Sequence, residues 1–126
     1  MIKSTSVVAA IIKKDNQYLI VQRNKNKHLG LKWEFPGGKV KSNENFKEAL
    51  IREIKEELNI TISVQKKIAE ELYKDHKINV HLFYFLCTQL NDTIELREHE
   101  KMAWVEKKDF RKYDFAEGDG KILSLL

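Results

Sequence analysis

The stretch that decides the fold is residues 38–60, which read GKVKSNENFKEALIREIKEELNI. Neither glycine nor proline interrupts residues 45–58, and Asn43 or Ser42 can cap the start, so this stretch predicts one helix of three to four turns. Apolar side chains recur along one face of that helix at about 100° per residue. These side chains are Phe46, Leu50, Ile54 and Leu58.

Three glutamates lie in the second half of the same helix. Glu53 and Glu57 project into or beside the apolar face, and Glu56 follows Glu53 by three positions, so we expect the three carboxylates to crowd together. Like charges at such separations repel unless a cation lies among them. Because the ligands would be hard oxygens, with no matching His or Cys cluster, the expected ion is Mg²⁺ or Mn²⁺ rather than Zn²⁺. Such ions often bind substrate phosphates as well, which indicates phosphate chemistry.

A purely structural acidic helix is the alternative to a metal site. Glutamate-rich helix faces are commonly solvated and paired with Lys or Arg, and Arg52 could pair with Glu48 or Glu56 in this way. This explanation suits Glu56 taken alone. It suits the three glutamates together less well, because Glu57 falls among the apolar positions.

The sequence EFPGGKV at residues 34–40 leads into the helix. Proline is rigid, and the two glycines allow the backbone to approach a ligand closely and to present its amide and carbonyl groups. On its own, Pro-Gly-Gly is an ordinary turn. Here the turn leads towards the acids of the helix.

Taken together, these residues resemble the Nudix box, which runs Gly, five residues, Glu, seven residues and then Arg-Glu-aliphatic-x-Glu-Glu-x-Gly-aliphatic. The matching positions are Gly38, Glu44, Arg52, Glu53, Ile54, Glu56, Glu57, Asn59 and Ile60. Asn59 is the one departure, since the family usually has Gly there. Asn is the other residue best able to adopt the left-handed conformation that ends a helix, so we expect the turn to survive.

The resemblance covers nearly the whole chain and is strongest to the MutT-like nucleoside triphosphate pyrophosphohydrolases. The further shared segments are residues 20–23, 33–39 and 98–100, followed by Trp104. The resemblance implies that water attacks a phosphorus of a nucleoside triphosphate and releases the monophosphate and pyrophosphate. It favours 8-oxo-dGTP as substrate. CTP or another pyrimidine triphosphate is the alternative, because residues 33–35 and 98–100 look at least as much like the CTP-type relatives.

The resemblance also assigns roles at the reacting end of the substrate. The implied metal ligands are the Gly38 carbonyl, Glu53, Glu56 and Glu57, with Glu98 or Glu100 as a further ligand or base. Glu53 is the first candidate for orienting or deprotonating water. Arg52 and Glu44 would brace the carboxylates, as outer residues do in other metal sites.

A second group of residues would bind the rest of the nucleotide. Arg23, His28 and Lys39 are placed to meet the phosphate chain, and Arg is suited to bidentate phosphate contact. Phe35 and Phe83 could stack on the base, although an aromatic residue on a strand is more often part of a core. Asp119 matches a position that often reads the base edge, where an ionised carboxylate would accept a hydrogen bond from an exocyclic amine.

The remaining sequence predicts a single α/β domain over residues 1–126. Two strands at residues 7–13 and 17–22 form a hairpin, a polar loop covers residues 24–32, and further strands fall at residues 61–73, 79–87 and 101–105, the first of them interrupted at Lys66 and Lys67. A short turn or helix at residues 107–111 and a terminal helix at residues 120–126 follow. Residues 79–87 are apolar on both faces and need cover on both, so we expect the Nudix α/β/α sandwich, a mixed sheet flanked by helices.

Composition indicates which kinds of partner the protein can bind. The net charge is +4, but Lys and Arg are scattered among acids, so we expect triphosphate nucleotides rather than stable binding to nucleic acid. One cysteine, Cys87, excludes an internal disulfide, and no apolar stretch could cross a bilayer, so we expect a soluble cytoplasmic monomer or homodimer. Two rival functions are a catalytically silent nucleotide-sensing module and an RNA-binding or decapping domain.

Overall fold

The computed structural model describes residues 4–90, 93–116 and 119–126. Within them, seven strands, two α-helices and one 3-10 helix form the fold. The order is β1 (Thr5–Lys14), β2 (Gln17–Gln22), β3 (Trp33–Glu34), β4 (Gly37–Lys39), α1 (Phe46–Leu58), β5 (Ile62–Lys74), β6 (Asn79–Gln89), β7 (Lys101–Glu106), the 3-10 helix (Lys107–Lys112) and α2 (Gly120–Leu125). No helix among these residues is both long and apolar enough to cross a membrane.

Strand β1 is the centre of a mixed sheet. One of its edges pairs in parallel with β6, from Thr5 opposite Val80 to Ile12 opposite Cys87. The other edge is shared by two antiparallel partners, β4 in its first half and β2 at its end. Strand β5 extends the sheet beyond β6, and β2 also pairs with β3 and β7.

The two faces of the sheet carry separate cores. Val8 and Ile12 on β1 pack with Leu50 and Ile54 of α1 on one face. The alternate side chains of β1 point to the other face, since successive residues of a strand do so. There Ala9 and Ile11 of β1 pack with Phe110 of the 3-10 helix and Ile122 of α2. The predicted α/β/α sandwich is therefore confirmed.

Helix α1 begins later than either predicted cap. Asn45 is the N-cap, and it forms a capping box in which its side chain accepts from Glu48 N at 2.8 Å while Glu48 Oε1 accepts from Asn45 N at 2.9 Å. The prediction of Asn43 or Ser42 was wrong because the preceding residues form a turn of their own, closed by Glu44 N donating to Lys41 O. At the other end, Asn59 has φ 57° and is left-handed, as expected.

The strand predictions hold for the long strands and fail for the short ones. The β1–β2 hairpin and the loop at residues 24–32 are confirmed, and β5 runs through Lys66 and Lys67 without interruption, with register shifts between Val64 and Lys66 and between Lys67 and Ala69. Strands β3 and β4 were not predicted. They contain two and three residues, and glycine makes up most of β4, so neither carries a strand pattern that the sequence could reveal.

Candidate active site

A cleft of about 570 Å³ opens beside the first half of β1, next to β4 and α1. Its lining divides by chemistry into three groups. Charged residues near α1 are Lys39, Glu53, Glu57 and Glu98, with His99. Apolar residues include Ala9, Phe35, Ile78, Val80, Leu82 and Ala116, with Asp119 among them. Loop residues 23–32 add Arg23, Lys27, His28 and Leu29.

Glycine at position 38 brings the backbone of β4 against a carboxylate of α1. A Cβ atom on Gly38 would lie 1.5 Å from Glu53 Oε2, so no other residue fits without moving the glutamate. A Cβ on Gly37 would similarly lie 1.9 Å from Val8 O of the adjacent strand. The two glycines thus allow β4 to pass between β1 and α1, with the Glu53 carboxylate directly over Gly38.

Arg52 connects the acidic side chains around α1. Its Nε and Nη2 donate to the two carboxylate oxygens of Glu44 at 3.0 and 2.6 Å, and its Nη1 donates to Glu53 Oε1 and to Glu56 Oε1, both at 3.1 Å. Nη2 also donates to Lys39 O at 3.0 Å. Hydrogen bonding to Arg52 lowers the pKa of Glu44 to about 2. Arg52 thus contacts the carboxylates of Glu44, Glu53 and Glu56 at once.

Glu57 is a buried carboxyl group with an unpartnered oxygen. It is 5% exposed, and its Oε1 has no hydrogen-bond partner among the described residues. Burial, followed by the negative charges of Glu53 and Glu98, raises the pKa of Glu57 to about 9. Burial also raises the pKa of Glu53, against the opposing effect of Arg52. An acid in this position is costly to the fold unless a cation compensates for it.

The expected crowding of the three helix glutamates is only partly realised. Glu56 is turned towards Arg52 and does not line the cleft, because the guanidinium offers it a partner at the surface. Across the residues that the structure describes, no three His, Cys, Asp or Glu side chains converge closely enough to hold a metal ion. The orphan Glu57 oxygen and the Glu53 carboxylate above Gly38 nevertheless supply hard oxygen donors, so these residues suit a divalent cation of the Mg²⁺ type.

The loop before β7 brings one of its two candidate acids to the cleft. Glu98 lines the cleft, and its charge contributes to the raised pKa of Glu57. Glu100 is exposed and outside the cleft, with its backbone N–H donating to Gln22 O at 3.0 Å. The placement therefore favours Glu98 over Glu100 as the further metal ligand or base, a choice that the sequence left open.

Glu34 and His99 were not predicted as site residues, and they connect the acidic and basic parts of the cleft. Arg23 Nη1 donates to Glu34 Oε1 at 2.8 Å, and His99 Nε2 lies 3.2 Å from Glu34 Oε2 and 3.9 Å from Glu57 Oε1. The His99 side chain is 7% exposed. Glu34 and His99 each lie within a segment that shows the family resemblance, but nothing in the sequence indicates that they meet across 65 positions.

The other predicted binding residues divide between the cleft and the core. Arg23, His28, Lys39, Phe35 and Asp119 all line the cleft. The exception is Phe83, which packs on Phe46 in the core beneath α1 with ring centroids 4.4 Å apart. Phe83 points away because β6 alternates, and its neighbours Leu82 and Tyr84 belong to the other face. The prediction that Phe83 stacks on a base does not fit this placement.

Asp119 differs from the ionised acceptor that the sequence suggested. It is 6% exposed, and the Tyr84 hydroxyl donates a hydrogen bond to its Oδ1. Burial raises the pKa of Asp119 to about 7, and the hydrogen bond from Tyr84 acts in the opposite direction. Near neutral pH this side chain therefore occurs in both protonation states, so it can donate as well as accept a hydrogen bond.

Comparison with known proteins finds relatives that cover nearly the whole chain. The NUDIX domain model matches residues 3–126. The CTP pyrophosphohydrolase of Escherichia coli (strain K12) is 32% identical over 121 residues, covering 96% of this chain and 90% of that protein. The 8-oxo-dGTP diphosphatase of Buchnera aphidicola subsp. Schizaphis graminum is 32% identical over 123 residues, covering 96% and 92%.

Solved structures agree with these sequence matches. The solution structure of the MutT protein (Nudix hydrolase) from methicillin-resistant Staphylococcus aureus 252 superposes with a TM-score of 0.79 at 37% identity, covering 99% of this chain and 96% of that one. The MutT protein from Methanosarcina mazei Go1 gives a TM-score of 0.89 at 23% identity over 98% and 93% of the two chains, a likeness of fold alone.

Proposed function

Because this chain belongs to the NUDIX family of hydrolases, we propose that it is a nucleoside triphosphate pyrophosphohydrolase, which converts a (d)NTP and water to a (d)NMP and diphosphate. The observation that carries the proposal is the buried Glu57, whose Oε1 has no hydrogen-bond partner among the described residues and faces Glu53, Glu98 and a cleft that also holds Arg23. A nucleotide could place its phosphates at the charged lining and its base at the apolar lining of that one cleft.

NUDIX hydrolases generally require a divalent metal ion. Here the ion would be Mg²⁺ or Mn²⁺, held by the Gly38 carbonyl and the carboxylates of Glu53, Glu57 and Glu98, with Glu56 joining if Arg52 releases it. When bound, such an ion neutralises charge on the carboxylates and on the transferred phosphoryl group. Deprotonation of Glu57 would accompany metal binding, since its neutral form cannot compensate a cation.

The protein's own residues would bind and orient the substrate. Glu53 would orient the attacking water and accept its proton, held in place by Arg52, which Glu44 anchors. Arg23 and Lys39 would contact the phosphate chain, and His28 could do so from the loop. Phe35 and the apolar lining would receive the base, with Asp119 at its polar edge.

The preferred substrate that we propose is an oxidised purine nucleotide such as 8-oxo-dGTP. Relatives of equal identity are named 8-oxo-dGTP diphosphatase and CTP pyrophosphohydrolase, so CTP or another pyrimidine triphosphate is the second candidate. Because Asp119 can both donate and accept near neutral pH, it could meet either an exocyclic amine or a carbonyl of the base. We further propose that the enzyme acts on free nucleotides in the cytoplasm, as a monomer or homodimer and without stably bound nucleic acid.

A substrate panel tests the proposed reaction. The protein is incubated with Mg²⁺ or Mn²⁺ and each of 8-oxo-dGTP, dGTP, CTP, dCTP and ATP, and pyrophosphate and orthophosphate are measured separately. We expect pyrophosphate and the monophosphate, with 8-oxo-dGTP giving the highest kcat/KM. Release of orthophosphate alone would contradict the proposed bond cleavage. Binding without turnover would indicate a nucleotide-sensing module, and cleavage of capped RNA alone would indicate a decapping domain.

A metal titration tests the proposed site separately from turnover. Mn²⁺ is titrated calorimetrically into the wild type, Glu57→Gln and the control Glu106→Gln, a partly exposed glutamate outside the cleft. We expect Glu57→Gln to weaken binding at least about tenfold, because an amide replaces a buried anionic ligand, while the control binds as the wild type does. Equal binding by all three proteins would make Glu57 a structural residue of α1.

A further inference from the structure

Asp75 joins two segments that are far apart in the sequence at the edge of the cleft. It lies in the turn between β5 and β6, where its Oδ1 accepts hydrogen bonds from Lys77 N at 2.7 Å and Ile78 N at 2.8 Å. Its Oδ2 accepts from the Tyr73 hydroxyl at 3.0 Å and lies 3.0 Å from His28 Nε2. One carboxylate oxygen thus shapes the turn, and the other reaches a loop 47 positions away.

That loop, residues 24–32, has a strained backbone. Leu29 and Leu31 have φ of 58° and 66°, in the left-handed region that bulky residues rarely adopt. Hydrogen bonds hold the base of the loop, from Arg23 N to Lys32 O at 2.8 Å and from Leu31 N to Arg23 O at 3.0 Å. A strained segment persists only where its surroundings hold it, so contacts at its tip matter to its conformation.

His28 supplies those contacts at the tip. Its carbonyl accepts a hydrogen bond from Arg23 Nε at 2.8 Å, and its ring meets Asp75. Four residues around this junction line the cleft, namely His28 and Leu29 from the loop and Tyr73 and Ile78 from the hairpin. The Asp75–His28 contact therefore fixes how far apart two walls of the cleft stand.

We propose that Asp75 is a positioning residue, which holds His28 and the strained loop against the β5–β6 hairpin so that the nucleotide-binding wall is formed before substrate arrives. The proposal rests on the proposed function, because the wall is assigned to a nucleotide. Without the contact, the loop occupies other conformations, and only a fraction of molecules is ready to bind. The apparent affinity falls by that fraction. The catalytic carboxylates stand on α1 and on the loop before β7, so the chemical step is unaffected.

Kinetics of Asp75→Asn test the proposal. Asn can keep Oδ1 bonded to Lys77 N and Ile78 N, and it replaces the charged Oδ2 with an amide, which weakens a charge-assisted bond to the imidazole. We expect KM to rise about five- to tenfold with kcat within about twofold of the wild type. The matched control is Asp15→Asn, in the exposed β1–β2 turn, where φ is 56° and Asn is well tolerated. Its KM should not change.

A double-mutant cycle shows whether Asp75 acts through His28. In a His28→Ala background, the effect of Asp75→Asn on KM should shrink to less than about twofold, because the partner is already gone. An unchanged KM in Asp75→Asn, the same effect in both backgrounds, or a parallel loss of kcat would each overturn the proposal. So would a lower KM, which would mean that the contact obstructs entry.

Hydrogen exchange separates this proposal from the proposed function. In the nucleotide-free protein, backbone amides of residues 25–31 should exchange about tenfold faster in Asp75→Asn than in the wild type or Asp15→Asn. His28→Gln should show the same increase, and it replaces Asp75→Asn if that variant does not fold. Unchanged exchange in the loop overturns the positioning role. If the wild type hydrolyses no triphosphate while exchange responds as expected, only the proposed function fails.

Discussion

At the scale of single residues, two buried acids define the cleft, and they differ in what compensates for their burial. The Tyr84 hydroxyl donates to Asp119, whereas Glu57 Oε1 has no hydrogen-bond partner among the described residues. Tyr84 is itself affected, since burial and the neighbouring Asp119 raise the pKa of its hydroxyl. Asp119 is therefore the better group for testing how burial couples to stability, because it lies away from the proposed metal ligands.

Asp119 should make stability depend on pH. Its pKa is about 7 in the folded protein against an ordinary value of 3.8, so the folded state binds more protons than the unfolded state between those values. Its stabilising contribution is complete below about pH 4 and is lost as pH rises to about 7. In Asp119→Asn, the amide oxygen can still accept from Tyr84 and does not titrate.

The measurement is urea unfolding of both proteins at pH 5 and pH 8. The difference in unfolding free energy between Asp119→Asn and the wild type should shift by about 2 kcal/mol in favour of the variant between these two conditions. Contributions from all other titrating groups cancel in the difference. Parallel pH profiles would show that Asp119 remains ionised in the folded protein.

Glu98 and Glu100 form a matched pair in one loop. Glu98→Gln should lower kcat/KM by about tenfold or more, because its carboxylate faces Glu57 in the cleft. Glu100→Gln should stay within about twofold of the wild type, since that side chain does not line the cleft. Steady-state kinetics with the preferred triphosphate measure kcat/KM for both variants. The reverse ranking would mean that the loop is arranged differently during turnover.

The sequence could predict the acids of α1 but not their partners. Helical spacing alone placed Glu53 and Glu57 next to the apolar face. Whether Glu56 turns towards the cleft or towards Arg52 depends on side-chain conformations, and spacing does not determine these. His99 and Asp75 escaped prediction because their partners are brought close only by the folded sheet.

At the scale of elements, helix α1 depends on its ends as well as on its buried face. Its first turn is closed by the Asn45–Glu48 capping box and its last by the left-handed Asn59. Sequence patterns located the body of the helix but not the cap. Three residues that can cap occur within positions 42–45, and the turn that precedes the helix selects among them.

Alanine variants of two asparagines, Asn45 and Asn43, test which residue caps the helix. Asn45→Ala should lower the free energy of unfolding by about 1 kcal/mol, because it leaves Glu48 N without its side-chain acceptor and removes half of the capping box. Asn43→Ala, at an exposed position in the preceding turn, should change it by less than about 0.5 kcal/mol. Chemical denaturation measures both. A larger cost for Asn43→Ala would restore the cap expected from the sequence.

At the scale of the whole molecule, the two faces of the sheet carry separate cores, and most of the apolar lining of the cleft lies on the face away from α1. The face beneath α1 carries Phe83 and Phe46, and the opposite face carries Phe35, Tyr84 and the apolar lining of the cleft. The order of strands and helices predicted this sandwich. It could not show which aromatic of β6 faces which side, because every residue from 82 to 87 is apolar or aromatic and this run has no period of two.

Two phenylalanine variants distinguish the faces. Phe83→Leu and Phe35→Leu should each lower the free energy of unfolding by about 1–2 kcal/mol, since both rings are buried. Only Phe35→Leu should also raise KM, by about fivefold, because only this ring lines the cleft. Denaturation and steady-state kinetics on the same preparations give both quantities. A raised KM in Phe83→Leu would put its ring in contact with the base.

The parallel pairing of β1 with β6 also sets the order in which the chain can assemble. Partners such as Thr5 and Val80 are separated in the sequence by the whole of β2, β3, β4, α1 and β5, so the middle of the sheet requires contacts between distant parts of the chain. Such non-local pairing slows folding compared with helical proteins of similar size. During synthesis, the edge of β1 that pairs with β6 stays open until β6 leaves the ribosome, and a nascent chain stalled before Cys87 would expose this edge to chaperones.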